Sequence, residues 1–130
     1  MNKKDIYETL QKYNFDKNKY IVISGAAMVI QGVKDSTTDI DIAVSKDYYN
    51  YLLKKYNCTF DCINKFKNRV YFIDNIINFS LSYYDSEYKI IDDIKIQSLK
   101  IIKKLKESLK RDKDKKDINL IEKKLNECID

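Results

Sequence analysis

The chain has 130 residues, enough for one domain with its own apolar core. Its 44% hydrophobic and 35% charged residues exclude a disordered class, and no apolar run approaches the ~18 residues that cross a bilayer. Histidine is absent, which excludes His-dependent zinc sites, Ser-His-Asp triads and Cys-His pairs, and the net charge of +5 is spread through a Lys-, Asn-, Ile- and Tyr-rich sequence instead of marking one basic tract.

Ile6, Leu10 and Tyr13 recur at helical spacing and predict an amphipathic helix over 3–13. The same N-terminal stretch carries acids and lacks an apolar segment, so it does not read as a signal peptide, and a cytoplasmic location is the expectation. Tyr20-Ile21-Val22-Ile23 is a β-branched run that predicts a buried strand ending at Ser24-Gly25. Helix formers from Ala26 to Gln31 predict a short helix stopped by Gly32, and Lys34 to Thr37 is polar loop. Asp39 to Val44 alternates acid and apolar residues, the pattern of a strand with one wet face.

Tyr49, Leu52, Leu53 and Tyr56 predict a helix over 46–56, and Cys58–Ile63 has strand character. Arg69–Ile73 and Ile76–Tyr83 flank Asp74-Asn75 as a hairpin. Helical spacing returns from Ser98 with Leu99, Ile102 and Leu105; the charged stretch Lys106–Lys116 then separates this helix from a last one carrying Ile118, Ile121 and Leu125. This order predicts a single α/β (α+β) domain over 1–130, with a mixed central sheet flanked by helices, a core at about 19–95 and a C-terminal helical part at about 96–130.

Chemistry in this chain must run on carboxylates, lysines, hydroxyls and bound metal. Cys58, Cys62 and Cys128 form no C-x-x-C pair and read as idle or buried thiols. Asp39 and Asp41, two apart on a strand, point to one face. Paired carboxylates are hard oxygen ligands suited to Mg²⁺ or Mn²⁺ bridging substrate phosphates. Ser24 can donate a hydroxyl hydrogen bond to a phosphate, and a helix opening after Gly25 directs free N–H groups to the same region. The plainer alternative is a half-exposed strand with outward polar positions.

Ser24-Gly25, a short apolar helix, Gly32, Thr37 and Asp39-Ile40-Asp41-Ile42 together resemble the signature of the DNA polymerase β-type nucleotidyltransferase superfamily. The similarity is greatest to a bacterial branch with antibiotic-modifying nucleotidyltransferases and abortive-infection-type toxins, whose pattern is roughly G-x-A…G-x-x-R-x-T-x-D-h-D. Gly25, Ala27, Gly32, Thr37, Asp39 and Asp41 match it. A second block of that branch, R-x-K-D-x-x-D-h, reads here Arg111 to Ile118, so the resemblance spans about residues 19–120. It implies a nucleotidyltransferase fold, metal-holding Asp39 and Asp41, nucleotide contacts from Ser24, Gly25 and Thr37, and a far pocket wall that includes Lys113 and Asp117.

The chain departs from that pattern twice. Asp35 stands where the family has arginine, with Lys34 beside it, and Asn78 fills the position of the third catalytic carboxylate. For that third acid Asp74, placed in the turn and not on the strand, is the nearest alternative, and Asp85 and Asp61 are further candidates that no spacing favours. Two readings follow. One is a Mg²⁺-dependent transferase moving a nucleoside monophosphate from a nucleoside triphosphate to a hydroxyl on a protein, an RNA or a small molecule, in a toxin–antitoxin or phage-defence setting. The other is a catalytically degenerate module of the same fold that binds nucleotide or a protein partner. A nucleic-acid-binding protein without nucleotidyl chemistry rests on charge and the eleven tyrosines alone.

Overall fold

In a computed structural model that describes residues 1–127, seven strands form one mixed sheet in the order β3-β4-β5-β2-β1-β7-β6. The strands are β1 (Tyr20–Ile23), β2 (Ile40–Val44), β3 (Thr59–Ile63), β4 (Arg69–Ile73), β5 (Ile77–Ser80), β6 (Tyr88–Ile91) and β7 (Ile94–Gln97). Five helices accompany them: α1 (Lys3–Tyr13), α2 (Ser24–Ile30), α3 (Lys46–Lys55), α4 (Leu99–Leu109) and α5 (Lys115–Glu127). A single 3₁₀ turn, Asp112–Asp114, joins α4 to α5. No helix of the described residues is long and apolar enough to cross a membrane.

The sheet is mixed because β2 pairs parallel with β5 and β1 parallel with β7, while the other neighbours run antiparallel. Cross-strand partners share a face, so Tyr20, Val22, Ile42, Val44, Ile77 and Phe79 lie on one side of the sheet. They join Ile6 and Leu10 of α1, Leu52 of α3 and Ile102 of α4 in the main core. Alternation sends Asp41 and Asn78 to the opposite face.

Local chemistry explains the ends of these elements. Asn2 and Asp5 form a reciprocal capping box at the start of α1, and Ser45 accepts from the Tyr48 N–H at the start of α3. α2 closes with Gly32 at φ +75°, where the Val33 N–H donates to the Met28 carbonyl and the Gly32 N–H to that of Val29. Asp74 and Asn75, between β4 and β5, both take left-handed backbone, which matches the twist of a hairpin.

Three expectations are corrected. β5 stops at Ser80 instead of Tyr83, because the Tyr84 N–H turns back to the Leu81 carbonyl and the chain leaves the sheet. Tyr88–Gln97 is a hairpin that the spacing did not single out; its turn is Asp92-Asp93, both at positive φ, so the strands reach Gln97 and the helical part begins at Leu99. The charged stretch 106–116 is no spacer: Lys106 lies inside α4, and Lys106 and Asp114 are buried because they neutralise one another.

Candidate functional site

Asp41 projects from β2 next to Asn78 of β5, its partner in the parallel register. Asp39 precedes β2 by one residue instead of lying on the strand, and it too is half-buried. A third acid comes from the edge strand. The register of β3 against β4 shifts between Phe60 and Cys62, leaving Asp61 as the extra residue of a bulge. Bulges re-aim side chains. The Asn78 Nδ2 donates to Asp61 Oδ2 at 3.3 Å, tying the edge-strand carboxylate to the β2–β5 pair.

Electrostatics bind these acids into one group. Burial pushes the Asp41 carboxyl up to about 7; Asp39 and Asp61 add to the rise, and the Lys106 ammonium opposes it. Burial raises Asp39 as well, with Asp61 adding to the effect. Asp41, Asp61, Asn78 and Ser24 line a cavity of about 420 Å³ whose wall also includes Leu105 and Arg111. Among the described residues no three His, Cys, Asp or Glu side chains converge as ligands of one ion. The donor set nevertheless suits a hard divalent cation: it is all oxygen, and its repelling carboxylates gain from an added positive charge.

Ser24 opens α2 at φ +55°, a strained conformation for a residue with a Cβ, and its N–H donates to Gln97 Oε1 at 3.1 Å. Gly25 packs closely on Thr37: a Cβ there would stand 3.0 Å from Thr37 Oγ1, so the threonine side chain would have to give way. The Thr37 hydroxyl in turn donates to the Asp39 carbonyl at 3.3 Å, so Gly25 and Thr37 together position the approach to the acid pair. Gly25→Ala is therefore expected to destabilise the fold by about 1–2 kcal/mol, with most of the loss recovered in the Gly25→Ala/Thr37→Ala double variant. A urea double-mutant cycle measures this; an additive cycle would refute the contact.

The second block occupies a different concavity. Lys113 and Asp117 line a cavity of about 550 Å³ with Lys34 and Asp35, apart from the residues around Asp41. Lys113 is exposed, whereas the Asp117 carboxylate is engaged by Lys34 at 3.3 Å and by Lys106 at 3.2 Å. Lys106 also meets Asp114 at 3.3 Å, and Arg111 Nε donates to Asp114 at 2.6 Å. Burial works against the Asp114 charge, yet the Arg111 hydrogen bond and the Lys106 ammonium hold its carboxyl below the usual range. Lys106 thus pairs with both Asp114 and Asp117, and its charge also acts on Asp41.

Lys106 was no candidate in the sequence, and Asp61 was a candidate third acid that no spacing favoured. A lysine at an inward position of an amphipathic helix, four residues after Ile102, was the available signal for Lys106. Nothing in the sequence announced the bulge at Asp61. Asp74 lies in the β4–β5 turn, where it accepts from the Tyr13 hydroxyl, and Asp85 does not line the Asp41 cavity. The thiols of Cys58 and Cys62 are free, and Cys128 lies outside the described residues. Comparison with family models, with curated proteins and with solved structures gives no match to this chain.

Proposed function

We propose that the chain is a nucleotidyltransferase, dependent on Mg²⁺ or Mn²⁺, that moves a nucleoside monophosphate from a nucleoside triphosphate to a hydroxyl acceptor. The carrying observation is the face-to-face register of Asp41 and Asn78, with Asp39 and Asp61 close enough to perturb Asp41. Asp39 and Asp41 would hold the cation, which supplies neutralisation of the phosphate charge when bound. Ser24 offers a hydroxyl and Arg111 a guanidinium along the same cavity for the triphosphate. Asp61 is the carboxylate suited to take the acceptor's proton, because Asn78 has no basic oxygen of comparable strength. The acceptor oxygen bonds to the α-phosphorus and pyrophosphate leaves. The resemblance of the Gly25–Asp41 and Arg111–Ile118 blocks to abortive-infection-type nucleotidyltransferases favours a toxin–antitoxin or phage-defence setting, with a protein, an RNA or a small molecule as acceptor.

Each of the four labelled nucleoside triphosphates, incubated with the protein, lysate and either cation, tests this. Label is expected on an acceptor with at least one of them, and Asp39→Ala/Asp41→Ala is expected to remove it. No label under any combination favours the second reading, a module that binds nucleotide or a protein partner without turnover. That reading draws on the amide of Asn78, which offers no negative charge and no base.

Asn78→Asp separates the two further. The new carboxylate faces Asp41 in register, so divalent affinity is expected to rise about tenfold by added Coulomb attraction. The metal-free variant is expected to lose stability, since like charges then oppose Asp61. Mn²⁺ calorimetry beside thermal melts reads both; unchanged affinity would place Asn78 outside the cation's reach.

A further inference from the structure

The opposite end of α4 carries a second polar anomaly. Ser98 is the N-cap of α4, yet its side chain makes no capping hydrogen bond. The residue is 3% exposed, and its Oγ is a buried side-chain polar atom with no partner among the described residues. An unpartnered buried hydroxyl forfeits hydrogen bonding that water would supply. Its backbone is fully used: the Ser98 N–H donates to the Glu87 carbonyl, and the Ser98 carbonyl accepts from Ile101 and Ile102. The first helical amides, Leu99 and Lys100, precede those bonds and lack an intrahelical acceptor.

Ser98 and this helix end open on a cavity of about 610 Å³. Lys3, Lys89, Lys100 and Lys124 line it, with Glu87 as the opposing charge. None of these lysines forms an ion pair among the described residues. The first turn of α4 holds no acid, so Lys100 adds positive charge to the positive end of the helix dipole. Ile30 and Leu125 supply apolar surface within the same cavity.

We propose that this cavity binds a small phosphate monoester with an apolar body. The phosphate oxygens accept from Ser98 Oγ and from the Leu99 and Lys100 N–H groups, and the lysines neutralise the dianion. The apolar body packs on Ile30 and Leu125. The volume is in the range of small-ligand pockets, ~300–1,000 Å³. This site is distinct from the Asp41 cavity, which is lined by Leu105 and Leu109 at the other end of α4, ~16 Å along an eleven-residue helix. It stands whether or not Asp41 supports catalysis.

The test is an amide NMR titration of the full chain with inorganic phosphate and, separately, phenyl phosphate, at ionic strength held constant with chloride. Saturable shifts are expected at Gly32, Leu99 and Lys100, with phenyl phosphate binding about tenfold more tightly because its ring is removed from water. Ser98→Ala is expected to weaken binding about 3- to 10-fold, the loss of one hydrogen bond, and Lys100→Glu to abolish it. Asp39→Ala/Asp41→Ala is expected to leave it unchanged. The proposal fails if the shifts are no larger than chloride produces, or spread evenly over surface lysines such as Lys54. It fails equally if Ser98→Ala binds like the parent.

Discussion

Asp41→Asn is expected to make the protein more stable at neutral pH while ending divalent-cation binding and nucleotidyl transfer. A carboxyl held at about 7 in the folded chain, against 3.8 for a free one, corresponds to ~4 kcal/mol of unfavourable charge burial. Solvent reaching the half-buried side chain reduces the expected gain to roughly 2 kcal/mol. The sign follows from linkage. The folded state holds this proton more tightly than the unfolded state, so its contribution to stability is complete below about pH 4 and is lost as pH rises through about 7. The parent protein, free of metal, should therefore lose stability between about pH 4 and pH 7 more steeply than Asp41→Asn, with no further difference in slope above that. Added Mn²⁺ should restore the parent at pH 8 and leave the variant unmoved, since ligands stabilise only the state that binds them. Thermal melts at several pH values, with and without Mn²⁺, measure all three effects. A variant less stable than its parent at pH 8 would show that Asp41 is held by favourable contacts instead of strained by its neighbours.

Lys106→Met is expected to have the opposite effect, a loss of about 3–5 kcal/mol. The methionine fills similar volume, so packing alone does not account for the loss. What remains is Asp114 at 3% and Asp117 at 8% exposure, two buried carboxylates that have lost their shared cation. Arg111 still holds Asp114 and Lys34 still reaches Asp117, which limits the damage to a few kilocalories. Asp114→Asn in the same chain should recover part of it by removing one of the stranded charges. Urea unfolding at constant m-value is the measurement. A loss below about 1 kcal/mol would mean that the cluster behaves as solvated surface.

Much of the fold was legible because its signals are local. Periodicity marked α1 and α3, the β-branched run marked β1, and Gly32 marked the end of α2 with a hydrogen-bond pattern that glycine favours. The β6–β7 hairpin escaped because its turn uses two aspartates where glycine or asparagine is the stronger cue. The charged stretch 106–116 misled for a different reason. Composition cannot tell a solvated lysine from one buried between two aspartates; the distinction is made by partners eight and eleven residues away.

The candidate site divides along the same line. Asp39, Asp41 and their facing Asn78 could be read from order along the chain, since each lies on or beside a recognisable strand. Asp61 could not, because its direction depends on one extra residue in a ladder against β4. Nor could the placement of Lys113 and Asp117 in a different concavity from Asp41, since the spacing of the second block along the chain does not give its position across the fold.

The two parallel pairings have a consequence for the order in which the molecule forms. Hairpins such as β4–β5 and β6–β7 close over a few residues and can form early. The β2–β5 pairing brings Asp41 to Asn78 across α3 and two intervening strands, and β1–β7 brings Val22 to Ile96 across most of the chain. Such long closures are entropically late. The carboxylate group is therefore expected to assemble late in folding, from segments that are already structured. Its mutual repulsion arises only then, and it burdens the finished molecule far more than the folding chain.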